Sequence, residues 1–153
     1  MLRIRPVRDQ DAHRLWEWVN EPGTRASAFR SDPIPWEEHL AWFGRKYGDA
    51  QCRMYILEVD GLQAGQVRFD IDPDGRAEVD VSIAAECRGR GYGAEALRLA
   101  AARLFADTGC TEVVAHIKPG NAASARAFEK AGFVVSETSH VAVRMTLTRR
   151  GVQ

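Results

Sequence analysis

The stretch Arg88-Gly89-Arg90-Gly91-Tyr92-Gly93 decides the fold. Before it, Ala77 to Ile83 alternates and reads as a strand. After it, roughly Gly91 to Thr108 reads as a long helix, with Leu97, Ala101, Leu104 and Phe105 facing inward and Gly109 as a stop. Three glycines between strand and helix let the backbone approach a bulky anion. The helix N-terminus behind them offers unpaired N–H groups and a positive dipole end, which suits a pyrophosphate. A Walker A loop would end in Gly-Lys-Ser/Thr, which is absent here, and a dinucleotide fingerprint needs GxGxxG where this chain has GxGxG. The bland alternative is a tight strand-to-helix turn.

Working outward, the helix must return the chain to a strand at Glu112 to Ile117, and such a crossover implies a parallel pair. Upstream, Met54 to Val59, Ala64 to Ile71 and Ala77 to Ile83 read as strands joined by hairpins at Asp60-Gly61 and Asp72-Pro73-Asp74-Gly75. Leu2 to Val7 reads as a first strand. Asp9 is a plausible N-cap for a helix to about Val19, with Ala12, Leu15, Trp16 and Val19 inward. Asn20 to Pro35 reads as irregular. Pro35 opens a second helix to about Tyr47 with Trp36, Leu40 and Phe43 on its apolar face and Trp42 alongside. Downstream come a short helix, Ala122 to Ala131, and two strands, Phe133 to Glu137 and Val141 to Leu147. The order β-α-α-β-β-β-α-β-α-β-β predicts an α/β (α+β) fold. Its mixed, mostly antiparallel seven-stranded sheet carries helices on both faces.

Composition narrows the function. The 153 residues fit one domain, 1–153, with no repeat or linker. Lys+Arg and Asp+Glu are 21 each, so the neutral chain is a poor candidate for nucleic acid or an anionic membrane. No run reaches the about 18 apolar residues of a membrane span, and the N-terminus lacks a secretory apolar region. Cys52, Cys87 and Cys110 are far apart with no CxxC pair, which predicts reduced thiols in a cytoplasm and no metal site. Eighteen of the basic residues are arginine, so a lone arginine is weak evidence for an anion site.

A second segment, Asn121-Ala122-Ala123-Ser124 followed by Phe128-Glu129-Lys130-Ala131-Gly132-Phe133, adds to the first. Arg88-x-x-Gly91-x-Gly93 resembles the (Gln/Arg)-x-x-Gly-x-(Gly/Ala) motif of the GCN5-related N-acetyltransferases, the GNAT superfamily. Asn121 to Phe133 is similar to that family's second acyl-CoA segment. The resemblance covers nearly the whole chain. It implies acetyl-CoA as cosubstrate and a small-molecule amine acceptor, and it leaves a homodimer open. It also implies that backbone groups of Val81, Ser82 and Ile83 pair with the pantetheine arm. N–H groups from Arg88, Gly89, Arg90, Gly91, Tyr92, Gly93 and Ala94 would hold the pyrophosphate. Asn121 would orient the pantetheine, and Arg126 or Lys130 would reach a CoA phosphate.

The chemistry is direct attack of a neutral amine on a thioester, so positioning dominates. Glu78 matches a frequent general-base position in the family. Asp80 shares its strand face, and such close carboxylates would raise one pKa; His116 on the next strand is a third candidate. The bland reading of Glu78 and Asp80 is a solvated strand face. Many relatives carry a tyrosine general acid where this chain has Phe128. Ser124, one turn earlier, matches a serine that some relatives use and would hydrogen-bond a departing thiolate; Tyr92 is the other candidate donor. Trp16, Asn20, Arg25, Ser27, Pro33-Ile34, His39 and Trp42-Phe43 resemble the pattern of a subgroup acting on nucleotide-linked amino sugars. Arg25 and Arg30 would then meet a diphosphate. Rival readings are acetylation of a protein N-terminus, antibiotic or polyamine, or a non-catalytic acyl-CoA-binding module.

Overall fold

Alternation along the strands sorts their side chains into two cores, one on each face of the sheet. A computed structural model describes residues 1–151. The expected domain runs to 153, and its residues 152 and 153 lie outside the described residues. In chain order the elements are β1 (Leu2–Pro6), α1 (Ala12–Val19), α2 (Pro22–Ser27), α3 (Trp36–Lys46), β2 (Cys52–Val59), β3 (Leu62–Ile71) and β4 (Arg76–Ile83). Then come α4 (Tyr92–Asp107), β5 (Glu112–Ile117), α5 (Ala122–Lys130), β6 (Val134–Thr138) and β7 (Val143–Thr148). The 7-stranded sheet has the order β1-β2-β3-β4-β5-β7-β6. Only β4 and β5 run parallel among the described strands, so the expected mixed, mostly antiparallel sheet is what forms.

On β2, Tyr55 and Leu57 face the core made by Leu97, Ala100 and Leu104 of α4 and Phe128 of α5. Ile56 between them faces the other core, with Leu15 and Trp18 of α1 and Phe43 of α3. Helices therefore cover both faces, and each strand is committed to one register.

Three local expectations change. The segment Asn20 to Pro35 is not wholly irregular, because α2 forms inside it. Glu21 caps α2 by accepting from the N–H groups of Gly23 and Thr24, both at 3.0 Å, and Pro22 occupies the first turn. On α3 the inward residue is His39 rather than Leu40, which is 46% exposed. His39 is buried because its Nε2 meets the Ala12 carbonyl at 2.9 Å; that burial pushes its pKa down, so it sits in the core as a neutral ring. On α1 the buried tryptophan is Trp18, whereas Trp16 is half-buried.

These placements set the stability pattern. Leu57 is 0% exposed, and Leu57→Ala should cost about 2–5 kcal/mol in urea unfolding. Leu40→Ala should stay within about 0.5 kcal/mol, and a large loss there would contradict the observed face of α3.

Candidate active site

Pairing of β4 with β5 lasts for three positions: Arg76 with Glu112, Ala77 with Val113 and Glu78 with Val114. Beyond Glu78 the strands part. β4 stays in register with β3 as far as Ile83 opposite Gly65, and β5 stays with β7 as far as Ile117 opposite Val143. A splay therefore opens between Val79–Ile83 and Ala115–Ile117.

The direction of the free backbone groups follows from the ladder. At one end of the β3–β4 pair, Asp72 N–H donates to the Arg76 carbonyl at 2.8 Å; at the other, Ala84 N–H donates to the Ala64 carbonyl at 2.7 Å. Hydrogen-bonded positions alternate, so even-numbered residues of β4 bond to β3. The last pair, Glu78 with Val114, engages the Val79 N–H with the Val114 carbonyl, so the Val79 carbonyl and the N–H and C=O groups of Val81 and Ile83 point into the splay. Of these, the Ile83 carbonyl already accepts from Arg88 Nε at 3.0 Å. Ser82, expected to share in cofactor pairing, instead turns its backbone toward β3, and its Oγ accepts from Gln66 Nε2 at 3.2 Å.

The Gly-rich loop lies at the mouth of the splay. Gly89 and Gly91 have φ of +78° and +79°, the left-handed region, with open space where a Cβ would stand. Gly91 is the N-cap of α4. Gly93 sits between Ile83 and Ala127, so the N-terminus of α4 opens beside the end of β4 and the first turns of α5. Arg90 is exposed there, Tyr92 packs partly into the core, and Ala94 is buried. The Arg88 side chain is 40% exposed, yet its guanidinium is engaged. Its Nη2 donates to Glu21 Oε2 at 2.6 Å and to Thr24 Oγ1 at 3.2 Å. These bonds, with the Gly23 and Thr24 N–H groups, pull the Glu21 carboxyl down to about 2.

On α5, Asn121 is the N-cap, its side-chain oxygen accepting from Ser124 N–H at 3.2 Å. Ser124 is half-buried, and Arg126 and Lys130 are exposed. Phe128 is buried against Phe133, ring centroids 5.0 Å apart, so it belongs to the core.

At the apex of the splay lies a cleft of about 370 Å³ lined by Phe29, Arg68, Asp70, Glu78, Val79, Asp80, His116 and Ala142. Its polar wall is a cross-strand ladder on one face of β3 and β4: Asp70 opposite Glu78, Arg68 opposite Asp80 and Gln66 opposite Ser82. The two expected carboxylates do share this face, but each has its own partner. Glu78 Oε1 lies 3.5 Å from His116 Nδ1. Asp80 Oδ2 accepts from Gln66 Nε2 at 2.9 Å and lies 3.8 Å from Arg68 Nη1. Asp70 accepts from Lys46 Nζ at 2.8 Å and Arg68 Nε at 3.0 Å. Burial alone would raise the Asp70 carboxyl, but these two cations outweigh it and hold it below the ordinary range. Arg68 is itself flattened near Trp42, 5.0 Å from the ring centre. Sequence reading missed Arg68, Asp70, Gln66 and Lys46. The signal was the alternation Gln66-x-Arg68-x-Asp70, which needs the strand register to acquire meaning.

The subgroup pattern also finds a physical role. Trp16 Nε1 and Asn20 Nδ2 both donate to the Ile34 carbonyl, at 2.8 and 2.9 Å, and Asn20 Oδ1 accepts from Ile34 N–H at 2.7 Å. Arg25 donates to the carbonyls of Val19 and Arg30, at 2.6 and 2.8 Å, and Arg30 pairs with Glu38 at 3.2 Å. These residues close the neck of the loop.

A parallel pair that splays open beside a glycine-capped helix is the arrangement that the resemblance leads one to expect of a GNAT domain. The chain belongs to the GNAT acetyltransferases: the family model described as "Acetyltransferase (GNAT) domain" matches residues 1–134. Acetyl-CoA is the acyl donor of that family. Among solved structures, the chain resembles the spermidine N-acetyltransferase from Vibrio cholerae in complex with CoA and spermine (19% identity, 99% of this chain and 97% of that one, TM-score 0.85). It also resembles aminoglycoside acetyltransferase AAC(6')-Ib in complex with coenzyme A and kanamycin (21% identity, 99% and 96%, TM-score 0.82). A domain from Methanocaldococcus jannaschii is a third (20% identity, 97% and 98%, TM-score 0.83). No curated protein matches the chain. Among the described residues no helix is long and apolar enough to cross a membrane, and no group of three or more His, Cys, Asp or Glu is placed to hold a metal.

The free edge of β4 depends on Gly65. A Cβ there would collide with the Ser82 carbonyl oxygen and stand 3.1 Å from Ile83 Cα. Gly65→Ala should displace Ser82 and Ile83 and weaken acetyl-CoA binding by about tenfold, near 1.4 kcal/mol, in calorimetric titration. Unchanged affinity would take that edge out of the cofactor site.

Proposed function

We propose that this protein transfers the acetyl group of acetyl-CoA to a small-molecule primary amine, with Glu78 as the base. The observation that carries the reading is Glu78 at the apex of the splay, 3.5 Å from His116, where a thioester lying along the free edge of β4 would end. The pantetheine amides pair with Val81 and the neighbouring cleft-facing groups as an added strand. Loop N–H groups from Gly89 to Ala94, with the positive end of α4, hold the pyrophosphate; the Arg88 N–H, expected to join them, instead donates to the Ala85 carbonyl at 3.4 Å. Arg126 supplies a further cation to CoA, and Asn121 both caps α5 and borders the arm.

In the reaction the amine arrives as ammonium. Glu78 takes its proton, directly or through one water, and His116 supports the carboxylate and returns the proton to solvent. The neutral nitrogen attacks the thioester carbonyl, the C–S bond breaks and CoA leaves as thiolate, and the nitrogen loses its second proton to the thiolate or to solvent, leaving the neutral amide. Phe128 lies in the core, so no tyrosine hydroxyl is available at that position, and Ser124 is assigned the hydrogen bond to sulfur. A thiol leaves without full protonation because its pKa is only about 8.5. Asp80 is a poorer base than Glu78 because its carboxylate is already committed to Gln66 and Arg68.

The charge inventory of the cleft favours an acceptor with one ammonium at the reacting end. Lys46 and Arg68 neutralise Asp70, and Arg68 also faces Asp80. Glu78 has no lysine or arginine partner among the described residues. The spermine and kanamycin of the structural neighbours are polyamines, which supports a small cationic acceptor. The nucleotide-linked amino sugar asks for a free cation in the loop. Arg25 is occupied within the loop and Arg30 pairs with Glu38, so neither stands unpaired for a diphosphate.

Thiol release should be followed with acetyl-CoA and a panel of monoamines, polyamines and amino sugars. Glu78→Gln should lower kcat/KM by about 100-fold or more and change the acid limb of its pH profile, while Asp80→Asn should have a smaller effect. Unchanged kinetics in Glu78→Gln would move the base to His116 or water. Absence of turnover on every amine, with acetyl-CoA still bound, would leave a non-catalytic acyl-CoA-binding module.

A further inference from the structure

Helix α2 is fastened to both ends of the splay. On the β4 side Arg88 holds it, bonding Glu21 Oε2 at 2.6 Å and Thr24 Oγ1 at 3.2 Å. On the β5 side Lys118 Nζ donates to the Ala26 carbonyl at 3.0 Å. The loop that carries α2 is closed on itself through Asn20 and Ile34 at its neck and through Arg25 inside it. These bonds tie the loop into one piece. Two residues beyond α2, Phe29 stands 57% exposed on the wall of the acceptor cleft, beside Glu78 and Asp80. Where α2 sits fixes where Phe29 sits.

Arg88 has a second attachment. It is the first residue of the pyrophosphate loop, and its Nε occupies the Ile83 carbonyl, one of the groups that face the cofactor cleft. One guanidinium thus touches the cofactor edge, the cofactor loop and the acceptor-side helix. We propose that Arg88 and Glu21 are a positioning pair that couples occupation of the cofactor cleft to the placement of α2 and Phe29 over the acceptor cleft. Acetyl-CoA fixes the loop, Arg88 passes the constraint to Glu21, and the acceptor site is completed once the cofactor is in place. Coupling of this kind is reciprocal, so an acceptor that presses on α2 would also tighten acetyl-CoA. The proposal rests on the loop being the acetyl-CoA site.

Gly23 gives a clean way to break the pair. A Cβ there would stand 2.6 Å from Arg88 Nη1. The same Cβ would stand 3.1 and 3.4 Å from the two Glu21 carboxylate oxygens, so Gly23→Ala presses on both members of the pair while leaving their charges, and alanine is the better helix former. The test is hydrogen exchange with and without saturating acetyl-CoA, read by mass spectrometry on peptides covering 84–94 and 22–29. In the unaltered protein, acetyl-CoA should slow exchange several-fold in both peptides. In Gly23→Ala and in Glu21→Gln, the loop peptide should still slow while the acetyl-CoA-dependent slowing of 22–29 is lost. A purely structural role for Glu21 would raise exchange of 22–29 equally with and without ligand, and it would leave Gly23→Ala unaffected. Slowing of 22–29 that persists in Gly23→Ala, or is absent in the unaltered protein while the loop responds, would overturn the coupling. A loop that does not respond at all would overturn the cofactor reading, and the coupling with it. Should Glu21→Gln fail to fold, Gly23→Ala decides alone.

Discussion

Everything functional in this molecule depends on β4 and β5 ceasing to pair after Glu78 and Val114. Unpaired backbone groups inside a sheet are costly unless water or a ligand meets them. Here the outer edges of both strands stay fully engaged, β4 with β3 and β5 with β7, so the opening exposes only the inner edges. Those edges are a ready template for an extended chain bearing amides. The parity of the β3–β4 ladder aims Val81, Ile83 and the Val79 carbonyl into the gap and keeps Asp80 and Ser82 out of it.

The same splay separates two electrostatic tasks. At its open end, the glycine-capped N-terminus of α4 provides N–H groups and positive potential for phosphate. At its apex, the cross-strand ladder of β3 and β4 gathers carboxylates for the amine. Cations from Lys46 and Arg68 balance most of that ladder, and Glu78 is left facing a histidine. On the proposed reading, a positively charged acceptor is drawn to the apex and the polyanionic cofactor to the mouth. Arg88 stands between them with its charge already spent on Glu21, so it fastens the two halves rather than binding either ligand.

The glycine motif, the hairpins and the long helix were legible because each is written in local sequence: positive-φ glycines, turn residues and helical spacing. Glu78, Asp80 and His116 could be named for the same reason, together with family resemblance. What could not be read was pairing across strands. Gln66, Arg68 and Asp70 become cleft residues only once β3 lies beside β4 in its observed register. Helix α2 was hidden because Glu21, an uncommon cap, supplies the acceptor that Ser, Thr, Asp or Asn supplies more often. Leu40 looked like a core residue because apolar spacing outranks histidine in a sequence reading. His39 won the site through its hydrogen bond to Ala12 and its packing among Trp36, Trp42 and Phe43.

The central claim is that the free edge of β4 receives the cofactor. It is tested most directly by residue-resolved amide exchange of this 17.0 kDa protein by NMR, with and without acetyl-CoA. The account predicts an alternating result: the amides of Val81 and Ile83 are open without ligand, and acetyl-CoA slows one or both of them, Val81 foremost. Asp80 and Ser82, already bonded to β3, change little. Slowing confined to the Gly-rich loop, with no change along Val79 to Ile83, would contradict the claim and leave the splay without its ligand.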